Sequence, residues 1–176
     1  RARELQWLFT NARIAPRERE HVLDSYFGFA EALGVTQRSL RWELPLPADA
    51  LDYAATLIPQ TQSGVGAEGG RTLIISPCSS HTLRNWRVER YAALATHAHR
   101  QHGLRVILCG GPSPLERENG AAIRAAAPEV PMQDQIGQDT LPQLLALLAR
   151  ATVLVSPDSG PAHMATMVGT PVIGLY

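Results

Sequence analysis

From Arg71 onward, short runs of Val, Ile and Leu alternate with stretches in which apolar residues recur at helical spacing. Leu73 to Ser76 (LIIS), Arg105 to Cys109 (RVILC), Thr152 to Ser156 (TVLVS) and Pro171 to Tyr176 (PVIGLY) carry almost no polar alternation. Strands with both faces covered read this way. Val88 to His102, Leu115 to Ala127 and Leu141 to Arg150 have the 3.6-residue period of helices, a shorter helix is expected over Pro161 to Val168, and a weak strand near Met132 to Ile136. This succession predicts an α/β fold: a Rossmann-like parallel sheet with helices on both faces.

The first part of the chain is different. Between Pro16 and Gly34, residues Val22, Leu23, Tyr26, Phe27, Ala30 and Leu33 fall on one helical face, and Gly34 stands where a helix C-terminus favours glycine. An extended piece, Leu40 to Leu46, leads to Pro47-Ala48-Asp49, which opens a second helix ending near Pro59. Gln60 to Gly70 (QTQSGVGAEGG) has linker composition. The expected division is therefore residues 1–70, helices and a linker without a sheet of their own, and residues 71–176, the Rossmann-like domain. Such a domain would need a covering helix after Tyr176, so the chain reads as part of a longer protein, cut at both ends.

Composition narrows the function classes. The 176 residues are 45% hydrophobic, and 16 acidic residues balance 16 basic ones, which excludes a disordered tail and leaves no electrostatic footprint for nucleic acid. All the basic residues are arginine. The charged fraction, 18%, lies below the ~25% of typical soluble domains, so part of the surface is expected to face something outside this chain. Cys78 and Cys109 have no CxxC spacing, which disfavours a disulfide framework or a zinc site and makes a reduced cytoplasmic protein the default. The histidines of His97-Ala-His99-Arg-Gln-His102 have no acidic or cysteine partner at metal spacing, so no metal is expected. RARELQWLFTNAR lacks the apolar core of a signal peptide, and the uncharged stretch Ser159 to Tyr176 is broken by Pro and Gly, so no membrane span is expected.

In an open parallel sheet, ligands bind beyond the carboxyl ends of the strands. Three loops qualify: Pro77 to Trp86, Gly110 to Pro114, and Pro157 to His163. In the last, Pro161 suits a first helical position, so the backbone of Ser159 and Gly160 opens a helix N-terminus able to hold a phosphate. Asp158 suits sugar hydroxyls better than phosphate, and His163 sits one turn on. Helix capping by Asp158 or Ser159 is the plainer alternative. In the first loop, Ser79, Ser80 and Arg84 offer hydroxyls and a guanidinium of the kind a diphosphate needs, and Trp86 reads as packing. Gly110-Gly111 lacks GxGxxG spacing, which disfavours a dinucleotide. Glu116 or Glu118 could take a ribose diol, or simply favour the helix dipole. Ser159 has no GxSxG around it, so a nucleophile elbow is not indicated.

Together, Leu73 to Leu94 with its SS-x3-RNW and ERYAAL runs, the CGGPSPLE turn, and VSPDSGPAHMATMVGTPVIGLY resemble glycosyltransferase family 9, the ADP-heptose:lipopolysaccharide heptosyltransferases. The resemblance covers residues 71–176 firmly and the preceding helices as the region joining two domains. It implies the two-domain GT-B fold, with this chain as the C-terminal, nucleotide-sugar-binding half. By position, it assigns Arg84, where the family often has Lys, to the diphosphate, with Ser79 and Ser80 as the accompanying hydroxyl pair. Asp158 falls to the heptose, the Ser159 and Gly160 backbone to phosphate with His163 completing that motif, Glu116 to the ribose, and residues 137–140 to the border of the adenine.

The implied reaction is inverting, metal-independent transfer of heptose from ADP-heptose, the donor substrate, to the inner core of lipopolysaccharide. No separate cofactor is implied. The acidic general base and the lipid A-core acceptor site belong to an N-terminal domain outside this chain, so the chain alone is expected to bind donor and turn over little. The setting implied is cytoplasmic, with peripheral contact at the inner-membrane face. Two other readings stay open: a UDP-sugar transferase or nucleotide-sugar epimerase of the same fold, and a non-catalytic nucleotide-binding module.

Overall fold

The computed structural model describes residue 5 and residues 8–15, 18–59 and 70–176. The chain divides into two compact units, residues 1–41 and 42–176. The Gly-rich stretch expected as a linker lies outside the described residues apart from Gly70, as does the Pro16 start of the first expected helix.

The first unit contains α1 (Val22–Ala32), whose first turn is capped by His21 Nδ1 accepting from the Leu23 N–H at 3.2 Å. Arg38 folds back on this helix. Its guanidinium donates to Asp24 at 2.9 Å and Glu31 at 2.6 Å and lies 5.0 Å from the Phe27 ring centre.

The second unit begins with α2 (Ala48–Leu57), followed by β1 (Thr72–Ile75), a single 3-10 turn (Thr82–Arg84), α3 (Val88–His102) and β2 (Arg105–Leu108). Then come α4 (Pro114–Ala126), β3 (Met132–Asp134), α5 (Leu141–Arg150), β4 (Val153–Pro157), α6 (Gly160–Met167) and β5 (Val172–Leu175). The strands form one fully parallel sheet in the order β3-β2-β1-β4-β5. The expected strands and helices from α2 onward are all present within a residue or two of their expected bounds, whereas α1 begins only at Val22 rather than near Pro16, and residues 40–46 adopt no regular element.

Alternate strand residues feed two cores. Leu73, Ile75, Val106 and Leu108 meet Tyr91, Ala92 and Ala95 of α3 and Ile123 of α4 on one face. Ile74, Ile107 and Leu154 meet Leu144, Leu147 and Leu148 of α5 and Ala165 of α6 on the other. That second core includes Ala50, Ala54 and Ile58 of α2. The sequence groups this helix with the upstream segment, but its small residues let it lie close against α5, and it belongs to the same compact unit as the sheet. Arg150 Nε donates to the Ile58 carbonyl at 2.8 Å, tying the end of α5 to the end of α2.

Candidate functional site

The strand order reverses direction between β1 and β4, and in open α/β sheets the crevice beyond the carboxyl ends at such a switch point is where ligands bind. The loop leaving β1 carries Ser79, Ser80 and Arg84, and the loop leaving β4 carries Asp158, Ser159 and Gly160. Topology therefore brings these two groups to one crevice.

A direct ion pair spans it. Arg84 Nη1 donates to Asp158 Oδ2 at 2.8 Å. His163, one turn into α6, places Nε2 3.8 Å from the other carboxylate oxygen. Three of the residues singled out from sequence thus stand side by side, with Asp158 in the middle. The sequence reading did not anticipate that Arg84 and Asp158 would face each other rather than each facing outward.

The start of α6 has no side-chain cap. Ser159 occupies the N-cap position, but its hydroxyl turns to Ser156 Oγ at 2.7 Å instead of to the helix N–H groups. Pro161 removes one of the free N–H groups, and Gly160 is exposed, with open space where a β-carbon would stand. The helix therefore presents its partial positive end to the crevice without an internal carboxylate or hydroxyl on it.

The β1 loop is held from within. Ser79 is buried; its N–H donates to Asn85 Oδ1 at 2.7 Å, and its hydroxyl accepts from the His81 N–H at 3.4 Å. Ser80, by contrast, is exposed at the bend. Asn85 is the residue that sequence reasoning passed over. Its place six residues after Ser79, across a 3-10 turn, is the signal that could have found it. Trp86 packs edge-on against Tyr91, with ring centres 5.4 Å apart, and anchors the far end of the loop to the core.

Glu116 is committed to its own helix start. One carboxylate oxygen accepts from the Gly111 N–H at 2.8 Å and the other from the Ser113 hydroxyl at 2.6 Å, while Ser113 Oγ caps α4. This arrangement shapes the Gly110-Gly111 turn and still leaves lone pairs on both oxygens. Glu118 is exposed two residues on. The loop leaving β3 leans on the same turn through Gly137 N–H to the Gly110 carbonyl at 2.8 Å.

Both thiols are buried, Cys78 beyond β1 and Cys109 beyond β2. Burial pushes Cys78 up to about 11, with Glu116 adding to the shift. It pushes Cys109 up to about 12, with Asp139 adding and a hydrogen bond to Ser76 opposing. Neither thiol is set up as a nucleophile. His97 and His102 meet edge-on with ring centres 5.2 Å apart at the far end of α3, and His99 Nδ1 lies 3.2 Å from the Leu104 carbonyl. Among the described residues, no group of three or more His, Cys, Asp or Glu is placed to hold a metal ion, and no helix is long and apolar enough to cross a membrane.

Known proteins resemble this chain in both sequence and fold. The sequence model of glycosyltransferase family 9 (heptosyltransferase) matches residues 1–176. The chain is 42% identical over 176 residues to the lipopolysaccharide core heptosyltransferase OpsX of Haemophilus influenzae, covering 100% of this chain and 48% of that protein. Lipopolysaccharide heptosyltransferase 3 of Escherichia coli K12 is 24% identical over 172 residues, again with 48% of that protein covered. The chain thus spans about half the length of the curated relatives it matches. Among solved structures, a family 9 glycosyl transferase from Veillonella parvula superimposes with a TM-score of 0.76 at 26% identity, covering 94% of this chain and 46% of that one. The E. coli heptosyltransferase WaaC with ADP shares the fold, with a TM-score of 0.64 at 21% identity over 95% of this chain and 48% of that one.

Proposed function

Since the chain belongs to glycosyltransferase family 9, the heptosyltransferases, we propose that it is the donor-binding half of an enzyme that transfers heptose from ADP-heptose to the inner core of lipopolysaccharide. The observation that carries this reading is the crevice between β1 and β4. There a guanidinium, a carboxylate and an uncapped helix N-terminus converge within a few ångströms. Those three groups match the three needs of a sugar diphosphate: charge-assisted hydrogen bonds, acceptors for hydroxyls, and backbone N–H groups for phosphate oxygens.

In this reading the diphosphate takes Arg84 and the start of α6, with the Ser79 and Ser80 loop beside them. Asp158 turns from Arg84 to the sugar hydroxyls, with His163 next to it, and Glu116 faces the ribose from the Gly110-Gly111 turn. The acceptor hydroxyl attacks the anomeric carbon from the face opposite the diphosphate. The C–O bond to phosphate breaks, and ADP leaves carrying the charge that Arg84 and the helix dipole stabilise. Inversion at the anomeric carbon follows from the single displacement. The acceptor's proton goes to an acidic base supplied by an N-terminal domain outside this chain, and no metal takes part. In the same reading the acceptor is a lipid-anchored core oligosaccharide, met in the cytoplasm at the inner-membrane face.

The 42% identity to OpsX supports the reaction class, and the sheet topology supports the donor half. Calorimetric titration with ADP-heptose, ADP, UDP-N-acetylglucosamine and NAD tests it. Saturable binding of the two ADP ligands, with NAD and the UDP-sugar weaker, is the expected result. A preference for the UDP-sugar would move the protein to another branch of the fold.

A further inference from the structure

Beside the Gly110-Gly111 turn, α2 reaches the loop between β3 and α5 through the Tyr53 side chain. The Tyr53 hydroxyl lies 2.9 Å from Gln135 Oε1 and hydrogen-bonds to Asp139 Oδ1. Gln135 is buried, and Asp139 Oδ2 is a buried oxygen with no hydrogen-bond partner. A carboxylate in that position depends heavily on its remaining hydrogen bond, because an unsatisfied buried acceptor costs more than a hydrogen bond gains.

The loop is also tied within itself: the Ile136 N–H donates to Asp134 Oδ1 at 3.0 Å and Gln138 Nε2 to the Asp134 carbonyl at 2.7 Å. Gln135 N–H joins the Leu108 carbonyl at 2.8 Å, Gly137 N–H joins Gly110 at 2.8 Å, and Thr140 with Gln143 forms a reciprocal capping box that fixes the start of α5. Gly137 has φ +71°, and a β-carbon there would stand 2.8 Å from Pro112 Cα. Backbone and local side-chain contacts thus shape the loop from within, and the Tyr53 hydroxyl ties it to α2. That helix is a firm anchor: Ala50 and Ala54 are fully packed against the second core, and Arg150 holds the Ile58 carbonyl.

We infer that Tyr53 is a positioning residue for nucleobase selection, its hydroxyl holding the 135–139 loop, through Asp139, in the shape that walls the base end of the donor crevice. The inference rests on the donor reading above together with the family resemblance, which implies that residues 137–140 border the adenine. It assigns a role in donor choice to a helix that the sequence places upstream of the domain. Without the hydroxyl, Asp139 loses its tie to α2 and turns toward water, carrying the loop with it. The phosphate end, built from Arg84 and α6, stays as it is.

The test is titration of the protein, Tyr53→Phe and Asp139→Asn with ADP, UDP and inorganic pyrophosphate. Tyr53→Phe keeps the aromatic ring on α2 and removes only the hydroxyl. It is expected to weaken ADP about tenfold, equivalent to ~1.4 kcal/mol, and to narrow the ADP-over-UDP preference by a similar factor. Pyrophosphate affinity should stay within about twofold, below the ~1.4 kcal/mol that a tenfold change represents. Asp139→Asn, which keeps an acceptor for Tyr53, should retain the preference for ADP. Equal losses for all three ligands would mean that Tyr53 only supports the fold, and unchanged ADP and UDP affinities in Tyr53→Phe would mean that it does not shape the base wall; either overturns the inference. If the unmodified protein itself fails to prefer ADP over UDP, the donor reading falls, and this inference with it.

Discussion

Arg84 and Asp158, 74 positions apart in sequence, meet at 2.8 Å across the point where the sheet changes winding direction. The pair closes the crevice that a diphosphate would enter, so an anionic ligand must take Arg84 away from a carboxylate already bound to it. The contact is cheap to break. Side-chain exposures of 52% and 38% leave both groups in high dielectric, where such pairs contribute ~0.2–1 kcal/mol. Asp158→Asn should therefore tighten ADP binding by up to about fivefold, the equivalent of ~1 kcal/mol. The same change should weaken binding of the sugar portion of ADP-heptose, which loses an acceptor. Weaker binding of ADP itself in Asp158→Asn would show that the pair does not compete with the ligand.

Arg84→Ala should weaken ADP by about ten- to a hundredfold, because hydrogen bonds to charged groups are worth ~1.5–3 kcal/mol. Unfolding in urea should barely change, since the guanidinium is half exposed and makes no core contact. Arg84→Lys keeps the charge and loses the planar fork, so it should recover part of the affinity. A large loss of stability in Arg84→Ala with binding unaltered would assign the residue to the fold.

Asn85 acts on the loop rather than on the ligand. Asn85→Ala leaves the buried Ser79 N–H without its acceptor, at a cost of about 1–3 kcal/mol. Urea denaturation should register that loss, and ADP affinity should fall with it as the Ser79-Ser80 loop loosens. Asn85→Asp retains an acceptor at the same place and should restore most of the stability. An Asn85→Ala protein as stable as the original would show that the loop needs no such clamp.

Much of this architecture was legible in the sequence, for identifiable reasons. LIIS, RVILC and TVLVS are largely buried, so their lack of polar alternation announced parallel strands. Residues 88–102 and 141–150 gave their helices to the residue. What periodicity does not encode is who meets whom. The Arg84–Asp158 pair follows only from the strand order, and the Tyr53–Asp139 contact joins residues 86 positions apart. The place of α2 was hidden for a related reason: its buried positions are Ala50 and Ala54, too weakly apolar to signal a packed face. The short Ser79–Asn85 clamp escaped because a 3-10 turn has no apolar period at all.

The two thiols should be inert in the folded protein. Cys109 is fully buried and Cys78 nearly so, and burial pushes them up to about 12 and about 11 respectively. The thiolate is the reactive form, and at pH 8 it should amount to ~0.1% or less of either group. An aromatic disulfide reagent should therefore titrate both only as the protein unfolds, with rates that follow denaturant. Rapid modification of one thiol under native conditions would mean that the β1 or β2 exit loop opens to solvent.

Asp139 gives the fold a pH signature whose sign can be worked out. Burial raises its carboxyl above the ordinary value of 3.8, and the Tyr53 hydrogen bond opposes the shift without cancelling it. Cys109, the other titratable group coupled to this carboxyl, is itself pushed far above neutrality and stays protonated throughout the range concerned. A raised carboxyl means that the folded chain holds its proton where the unfolded chain has released it. Stability contributed here must fall as pH climbs through the ordinary carboxylate value toward the folded one, and is recovered in acid. Asp139→Asn removes the titration while keeping an acceptor for Tyr53. Relative to the original protein, the variant should gain stability as pH climbs above the ordinary carboxylate value of 3.8, keep that gain at higher pH, and lose it below the ordinary carboxylate range. Urea midpoints of the two proteins across these pH values measure the difference directly. A difference independent of pH would show that Asp139 is ionised in the fold as readily as in the unfolded chain, its second oxygen hydrated rather than buried.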